Sequence, residues 1–520
     1  MSFLLRQPRR GADRYYAEGH WNSDTIPGLL RRWATERPDK PAIVEPGRRL
    51  TYAQLAAGME RAAAQLGAAG VDRGDAVIVR VPDSANFVIA SAAAHAVEAV
   101  AVPVVQSAGE AEIAAIVERM KVGAYAGAAD AWPCLDGLLR LDLDRSDLCE
   151  PGATPPAGYL PDPDALMEVM FTSGTTGRPK GVMNTANTKL AGLRGFLEAV
   201  EVGPDDVWGV AAPMAHQAGW AYTYLLALYT GATAVMVGRG DARRMLDTLA
   251  AEAVTISFLV PTHAMDLMAA YKADPERWDL KLRIVLTGTT ATPAETVADI
   301  IERWGARPML MYGMTEVQSN VFSRPEDPLP VHTTTVGRPC PNAEVRLVSP
   351  ADGSVITADR MPGEVMTAGP TVCVGYYDDQ AATSGAFTKD GWFRSGDLGE
   401  WIDGNLRIVG RIKNIILRGG ITIVPDDVEL ALTGCPGIEQ VSVCGIPDKR
   451  LGEKVCVCVV GTATLEEMRA YLAARGIGPG LHPDLAVHVD AFPRTSVGKV
   501  QRGRLAAIAA ERAAVEPDRG

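Results

Sequence analysis

The sequence has no CxxC pair, no HExxH, no concentrated run of Lys or Arg, and no uninterrupted apolar stretch of membrane-spanning length. Each absence removes a class of protein. Eight cysteines scattered through 520 residues indicate neither a disulfide framework nor a zinc site. Cys456 and Cys458 alternate in an apolar run and read as one face of a strand. Seven histidines without metal-ligand spacing argue against a transition-metal mechanism. A formal net charge of −12 leaves no basic surface to neutralise a nucleic-acid backbone. The most apolar stretch, Phe87 to Val105, is broken by His95, Glu98 and Pro103, so it reads as an Ala-rich buried helix leading into the short strand AVPVV rather than a membrane span. MSFLLRQPRR lacks the apolar core of a secretory signal, so a cytoplasmic location is expected.

What is present is ordinary globular composition, 47% apolar and 22% charged, over a length that suggests several structural units. From 24 to 160, helical segments (LRRWATERP, YAQLAAGMERAAAQL) alternate with β-rich runs (AVIVRV, VAVPVV), the rhythm of a layered α/β unit with a parallel sheet. The proline-rich segment EPGATPPAGYLPDPD, Glu150 to Asp164, reads as a crossing linker. A second α/β half follows over 165–330, with GATAVMV, VTISFLV and LRIVLTG as strands and ARRMLDTLAAEA and AETVADIIERW as helices. Short strands and turns over 333–410 suggest a β-rich subdomain. The expected fold is therefore α/β, with a large N-terminal body over 1–412 and a small mobile α+β domain over 413–520. That domain should hold two apolar strands, VSVCGI and KVCVCVV, and two helices.

The most informative stretch is TSGTTGRPKG, comprising Thr172, Ser173, Gly174, Thr175, Thr176, Gly177, Arg178, Pro179, Lys180 and Gly181. Alternating hydroxyls and glycines let backbone N–H groups turn inward to form an anion-binding nest suited to polyphosphate. A Walker A loop would open a helix with Gly-Lys-Ser/Thr. Here Lys180 lies between Pro179 and Gly181, which disfavour an immediately continuing helix.

With this loop, the ordered motifs PMAHQAG (213–219), YGMTE (312–316), SGDL (395–398), Gly410–Arg411 and PRTSVGK (493–499) resemble the adenylate-forming superfamily of acyl- and aryl-CoA synthetases, luciferases and peptide-synthetase adenylation domains. The resemblance runs from about residue 28 to 505. It is nearest the medium-chain acyl-CoA and cyclohexanecarboxylate-CoA ligases, on PMAHQAGWAY and GTTATP.

The resemblance implies that Thr172 to Gly177 and Lys180 hold phosphates, that Gly288, Thr289, Thr290, Tyr312 and Gly313 line the adenine, and that Asp397 and Arg411 grip the ribose. Glu316 with Thr315 would serve Mg²⁺ and the phosphates, a hard carboxylate suiting a hard cation. Lys499 would bridge the acid oxygen and the α-phosphate as a compact flexible cation. His216, Gln217, Gly219, Trp220 and Met314 would surround the acid, with Trp220 equally suited to core packing. Lys413 would be the pivot of domain rotation, with Gly419 and Gly420 on the coenzyme A side.

ATP, Mg²⁺ and coenzyme A are thus the expected cofactors and an apolar medium-chain, alicyclic or bulky carboxylic acid the expected partner, with a homodimer as the default assembly. Departures from the family pattern at Asn414, GGITIVPDD, GLHP (480–483), Thr289 and Thr290 keep open thioesterification of preformed acyl-adenylate alone, and the resemblance leaves a carrier-protein phosphopantetheine as the alternative acceptor. The absence of a carrier-like domain after residue 520 favours free coenzyme A. A luciferase-like oxygenase and a silent adenylate-binding protein complete the alternatives.

Overall fold

The computed structural model describes residues 11–128, 132–150, 161–172, 179–288, 292–419, 421–493 and 500–515. Packing divides the chain into two compact units. Met1–Val345, Met366–Arg394 and Gly404–Leu406 form one; Arg346–Val365, Ser395–Asp403 and Arg407–Gly520 form the other.

The larger unit is built on two mixed sheets with helices packed against them. One runs in the order Gly375–Tyr376, Lys180–Thr185, Leu166–Thr172, Val100–Pro103, Ala76–Arg80, Val122–Gly127, Leu139–Arg140. Its strands from Leu166–Thr172 to Leu139–Arg140 are parallel and the first two are antiparallel additions. Ala76–Arg80 reads as a continuous apolar run because both its faces are covered. The other sheet has nine strands, in the order Arg338–Pro339, Gln318–Phe322, Arg307–Met314, Ile284–Gly288, Ile256–Phe258, Val207–Val210, Thr233–Met236, Pro41–Glu45, Arg48–Thr51.

The sheets exchange strands across the chain. Pro41–Glu45 pairs in parallel with Thr233–Met236, while Gly375–Tyr376 returns to the edge of the first sheet. Helix starts follow local chemistry. Thr51 and Gln54 form a capping box at Tyr52–Ala68, and Thr185 accepts from the Thr188 N–H at the start of Ala186–Ala199.

The apolar stretch before Val105 folds as the buried helix Ala85–Ala96 and the strand Val100–Pro103. His95 in that helix is 1% exposed, and among the described residues neither ring nitrogen has a hydrogen-bond partner. Burial pulls its pKa down to about 3. The folded state therefore keeps His95 neutral where the unfolded chain protonates it, so stability is lost as pH falls below the unfolded value of 6.5. Between pH 8 and pH 5 the loss from this group should be about 2 kcal/mol. His95→Leu should remove that part of the acid dependence, checked by denaturant unfolding at the two pH values.

In the smaller unit, Ile421–Ile423, Ile416–Arg418, Gly452–Gly461 and Ile438–Asp448 form a sheet joined by Leu485–His488. Among the described residues three helices accompany it rather than the two expected: Pro425–Ala431, Leu465–Ala474 and Arg502–Val515. The additional one is Pro425–Ala431, whose proline in the first turn and Asp426 and Asp427 beside it make a helix start within only seven residues.

Candidate functional site

Leu166–Thr172 and Lys180–Thr185 form an antiparallel hairpin with Thr172 opposite Lys180, so its mouth brackets the glycine-rich loop. Ser173, Gly174, Thr175, Thr176 and Gly177 lie outside the described residues. Lys180 starts a strand, and the next helix begins only at Ala186, an arrangement distinct from a P-loop. The Lys180 ammonium stands over the Tyr376 ring, 4.7 Å from its centroid. The Tyr376 hydroxyl donates to Glu316 Oε1 at 2.9 Å. Burial first, and then the Glu316 charge, raise the Tyr376 phenol well above its usual pKa, so it stays a donor. Cation, phenol and carboxylate thus form a continuous assembly.

Glu316 sits in the turn after Arg307–Met314, where its carbonyl accepts from the Cys373 N–H at 2.7 Å. The strand bulges between Tyr312 and Gly313. A Cβ on Gly313 would lie 1.9 Å from the Gln318 carbonyl oxygen, so only glycine permits this turn. Gln318 itself takes φ 59. Gly288 pairs with Met311, placing the end of Ile284–Gly288 beside Tyr312. Tyr312, Met314, Thr315 and Glu316 are all half-buried, whereas Thr289 and Thr290 are outside the described residues.

In PMAHQAG, the Met214 N–H donates to Asp83 Oδ1 at 2.8 Å, and the His216 N–H donates to the Pro213 carbonyl. A Cβ on Gly219 would meet the Ala212 carbonyl oxygen at 2.3 Å, which fixes the residue type there. Trp220–Leu225 then forms a π-helical segment, a departure from α geometry that often accompanies sites. Trp220 is 1% exposed, stacked on Tyr224 at 5.3 Å and edge-on to Phe87. Its contacts are those of the core. The Ser319 N–H donates to the Tyr222 hydroxyl at 2.6 Å, tying this segment to the strand after YGMTE. His216 and Gln217 remain half-buried at its start.

In the smaller unit, Asp397 and Arg411 lie on the neighbouring strands Phe393–Ile402 and Asn405–Arg411, with Arg411 Nε 2.8 Å from Asp397 Oδ1. The carboxylate is buried and the guanidinium half-exposed, so the pair orients Asp397 more than it stabilises the fold. Lys413 is exposed in the short turn Ile412–Asn414. Gly419 takes φ +58, with its N–H donating to the Leu451 carbonyl at 2.6 Å. Gly420 and Lys499 are outside the described residues.

The sequence did not single out three side chains in this setting: Tyr376 and the buried pair Lys189 and Glu168. Only a charged residue inside an apolar strand and helix signalled the last two. It also missed a cluster in which the thiols of Cys444, Cys456 and Cys458 lie within 4.8 Å of one another, because Cys444 comes from the partner strand. Buried among Val487, Phe492 and Leu505, these thiols pack as small apolar groups.

A family model for AMP-binding enzymes matches residues 30–377, and one for the AMP-binding enzyme C-terminal domain matches 427–499. The chain belongs to the AMP-binding enzyme family. It is 30% identical to the salicylyl-CoA synthase / salicylate adenylyltransferase of a Streptomyces species, with 96% of each chain covered. It is 28% identical to the medium-chain fatty-acid–CoA ligase of Escherichia coli, with 96% of this chain and 93% of that one covered. Its fold matches o-succinylbenzoate CoA synthetase of Bacillus subtilis, solved with its acyl-adenylate intermediate, at a TM-score of 0.82 and 25% identity, covering 92% of this chain and 97% of that one. This AMP-binding enzyme is an acid-thiol ligase of the AMP-forming type.

Tyr376→Phe removes one hydrogen bond to the ionised Glu316 and leaves the ring under Lys180. Such a bond contributes about 1.5–3 kcal/mol, so adenylation should fall roughly tenfold or more, read as acid-dependent pyrophosphate release.

Proposed function

We propose that this chain joins a carboxylic acid to AMP using ATP and Mg²⁺, then transfers the acyl group to coenzyme A. The observation that carries the reading is the Lys180–Tyr376–Glu316 assembly beside the mouth of the loop-bearing hairpin, which sets a cation and a hard carboxylate on one shared aromatic. A carboxylate oxygen of the acid attacks the α-phosphorus, the bond to the β-phosphate breaks, and pyrophosphate leaves. Two anions must meet in that step, and the protein's work is to offset their repulsion and align them. Glu316 and Thr315 suit Mg²⁺, which when bound supplies charge neutralisation at the phosphates. Thr172 to Gly177 and Lys180 hold the phosphates, Gly288, Tyr312 and Gly313 the base, and Asp397 with Arg411 the ribose hydroxyls. Lys499 neutralises the charge that builds between acid and α-phosphate. Rotation about Lys413 then brings Gly419 and Gly420 to the coenzyme A side, and the thiol sulfur attacks the acyl carbon, losing its proton as AMP departs.

His216, Gln217, Gly219 and Met314 surround the acid, with Trp220 shaping that wall from the core behind it. The acid is an apolar one, medium-chain, alicyclic or otherwise bulky. Among the described residues no helix is long and apolar enough to cross a membrane. We place the enzyme in the cytoplasm, with a homodimer as the default assembly.

The test is acid-dependent pyrophosphate release with and without coenzyme A, beside a parallel reaction given synthetic acyl-adenylate. The reading expects both half-reactions. Thioester from the synthetic adenylate alone would reduce the chain to the second half, and transfer only to a carrier-protein phosphopantetheine would replace coenzyme A as acceptor.

A further inference from the structure

Lys189 and Glu168 form an ion pair with Nζ 2.5 Å from Oε1, at 0% and 2% side-chain exposure. Glu168 lies on Leu166–Thr172, the first strand of the loop-bearing hairpin, and Lys189 on Ala186–Ala199, the helix that follows it. Burying two charges is costly, and an apolar pair of similar volume serves a core at least as well, so such a pair is weak evidence of a stability role. Burial, opposed by Glu168, lowers the Lys189 pKa.

The ammonium makes a third contact that relates the pair to the acid motif: Lys189 Nζ donates to Gln217 Oε1 at 2.9 Å. An ammonium has donors only, so the carboxamide oxygen must face it and the amide nitrogen must face away. Side-chain amides are otherwise free to flip, and here the charge removes that freedom. The nitrogen donates toward Met170 Sδ at 3.4 Å, a weak acceptor that leaves most of its hydrogen-bonding capacity unused. Lys189, Glu168 and Met170 are buried, while Gln217 is half-buried. Gln217 is thus the one member of the group that a bound molecule could reach.

We propose that Lys189 and Glu168 are positioning residues that lock Gln217 as an N–H donor facing the acid. The preferred substrate is then an acid with an apolar body carrying one oxygen acceptor, a keto, ether or hydroxyl oxygen, over the plain hydrocarbon acid of the same shape. This rests on the reading of Gln217 as an acid-pocket residue. Bound to the hydrocarbon acid, the second N–H of the amide, the one not turned to Met170, is desolvated without an acceptor; bound to the oxygenated acid, it has one.

The experiment compares kcat and KM for cyclohexanecarboxylate and its 2-, 3- and 4-oxo derivatives. In the native enzyme at least one oxo acid should exceed the parent in kcat/KM by about tenfold, with most of the difference in KM. Gln217→Glu keeps an oxygen toward Lys189 but offers no N–H, and it should erase the preference. Lys189→Met/Glu168→Leu replaces the pair by apolar side chains without stranding a charge, and it should bring the ratio to within about threefold of unity. A preference that survives in the double variant, or in Gln217→Glu, overturns the positioning role. Absence of any oxo-acid preference in the native enzyme overturns the substrate class. If Gln217→Leu leaves the kinetics of every acid unchanged while adenylation proceeds, the placement of Gln217 in the pocket fails instead.

Discussion

Lys499→Ala should lower acyl-adenylate formation from acid and ATP by about 10²- to 10³-fold while leaving the thioesterification of synthetic acyl-adenylate within about threefold of native. The asymmetry follows from where charge develops. Adenylation brings a carboxylate against a polyphosphate, and on the role proposed for Lys499 a compact ammonium offsets that repulsion. Thiol attack on a preformed mixed anhydride has no such encounter of anions. Rapid-quench measurement of a single turnover, with each substrate in turn, separates the two. Equal losses in both would show that the variant damages the unit as a whole, and no loss in the first would remove Lys499 from the chemistry.

Glu316→Gln should cost adenylation about 10²-fold and weaken the apparent Mg²⁺ affinity by about 10- to 100-fold. The amide keeps the shape of the side chain and an oxygen to accept from Tyr376, whose hydroxyl lies 2.9 Å from Oε1 in the native chain. What is lost is the charge. The effect should therefore shrink as Mg²⁺ is raised, which a variant that merely loosens the turn at Gly313 would not show. A loss independent of Mg²⁺ concentration would assign Glu316 to positioning Tyr376 alone.

Much of this site was legible in the sequence because its chemistry is written in short ordered runs. In TSGTTGRPKG, Pro179 and Gly181 argue against a helix continuing from Lys180, and Lys180–Thr185 is a strand. Asp397 and Arg411, fourteen positions apart, meet at 2.8 Å because neighbouring strands bring them together. What could not be read depends on contacts between distant segments. Tyr376 reaches Glu316 only because Gly375–Tyr376 returns to pair with Lys180–Thr185. Cys444 joins Cys456 only through the register of two long strands. Lys189 and Glu168 meet only because the hairpin and the helix after it bring them together. The helix Pro425–Ala431 escaped for a different reason: at seven residues it shows too little periodicity, although its proline and aspartates mark its start.

The central claim is that one chain both makes and spends an acyl-adenylate. Exchange of radiolabelled pyrophosphate into ATP tests it most directly, run with a panel of apolar and oxygenated acids without coenzyme A, then repeated with coenzyme A while the thioester is followed. The account predicts exchange that depends on the acid and Mg²⁺, is lost in Lys499→Ala, and gives way to thioester formation when coenzyme A is added. Exchange absent with every acid, while synthetic acyl-adenylate is still converted to thioester, would contradict it.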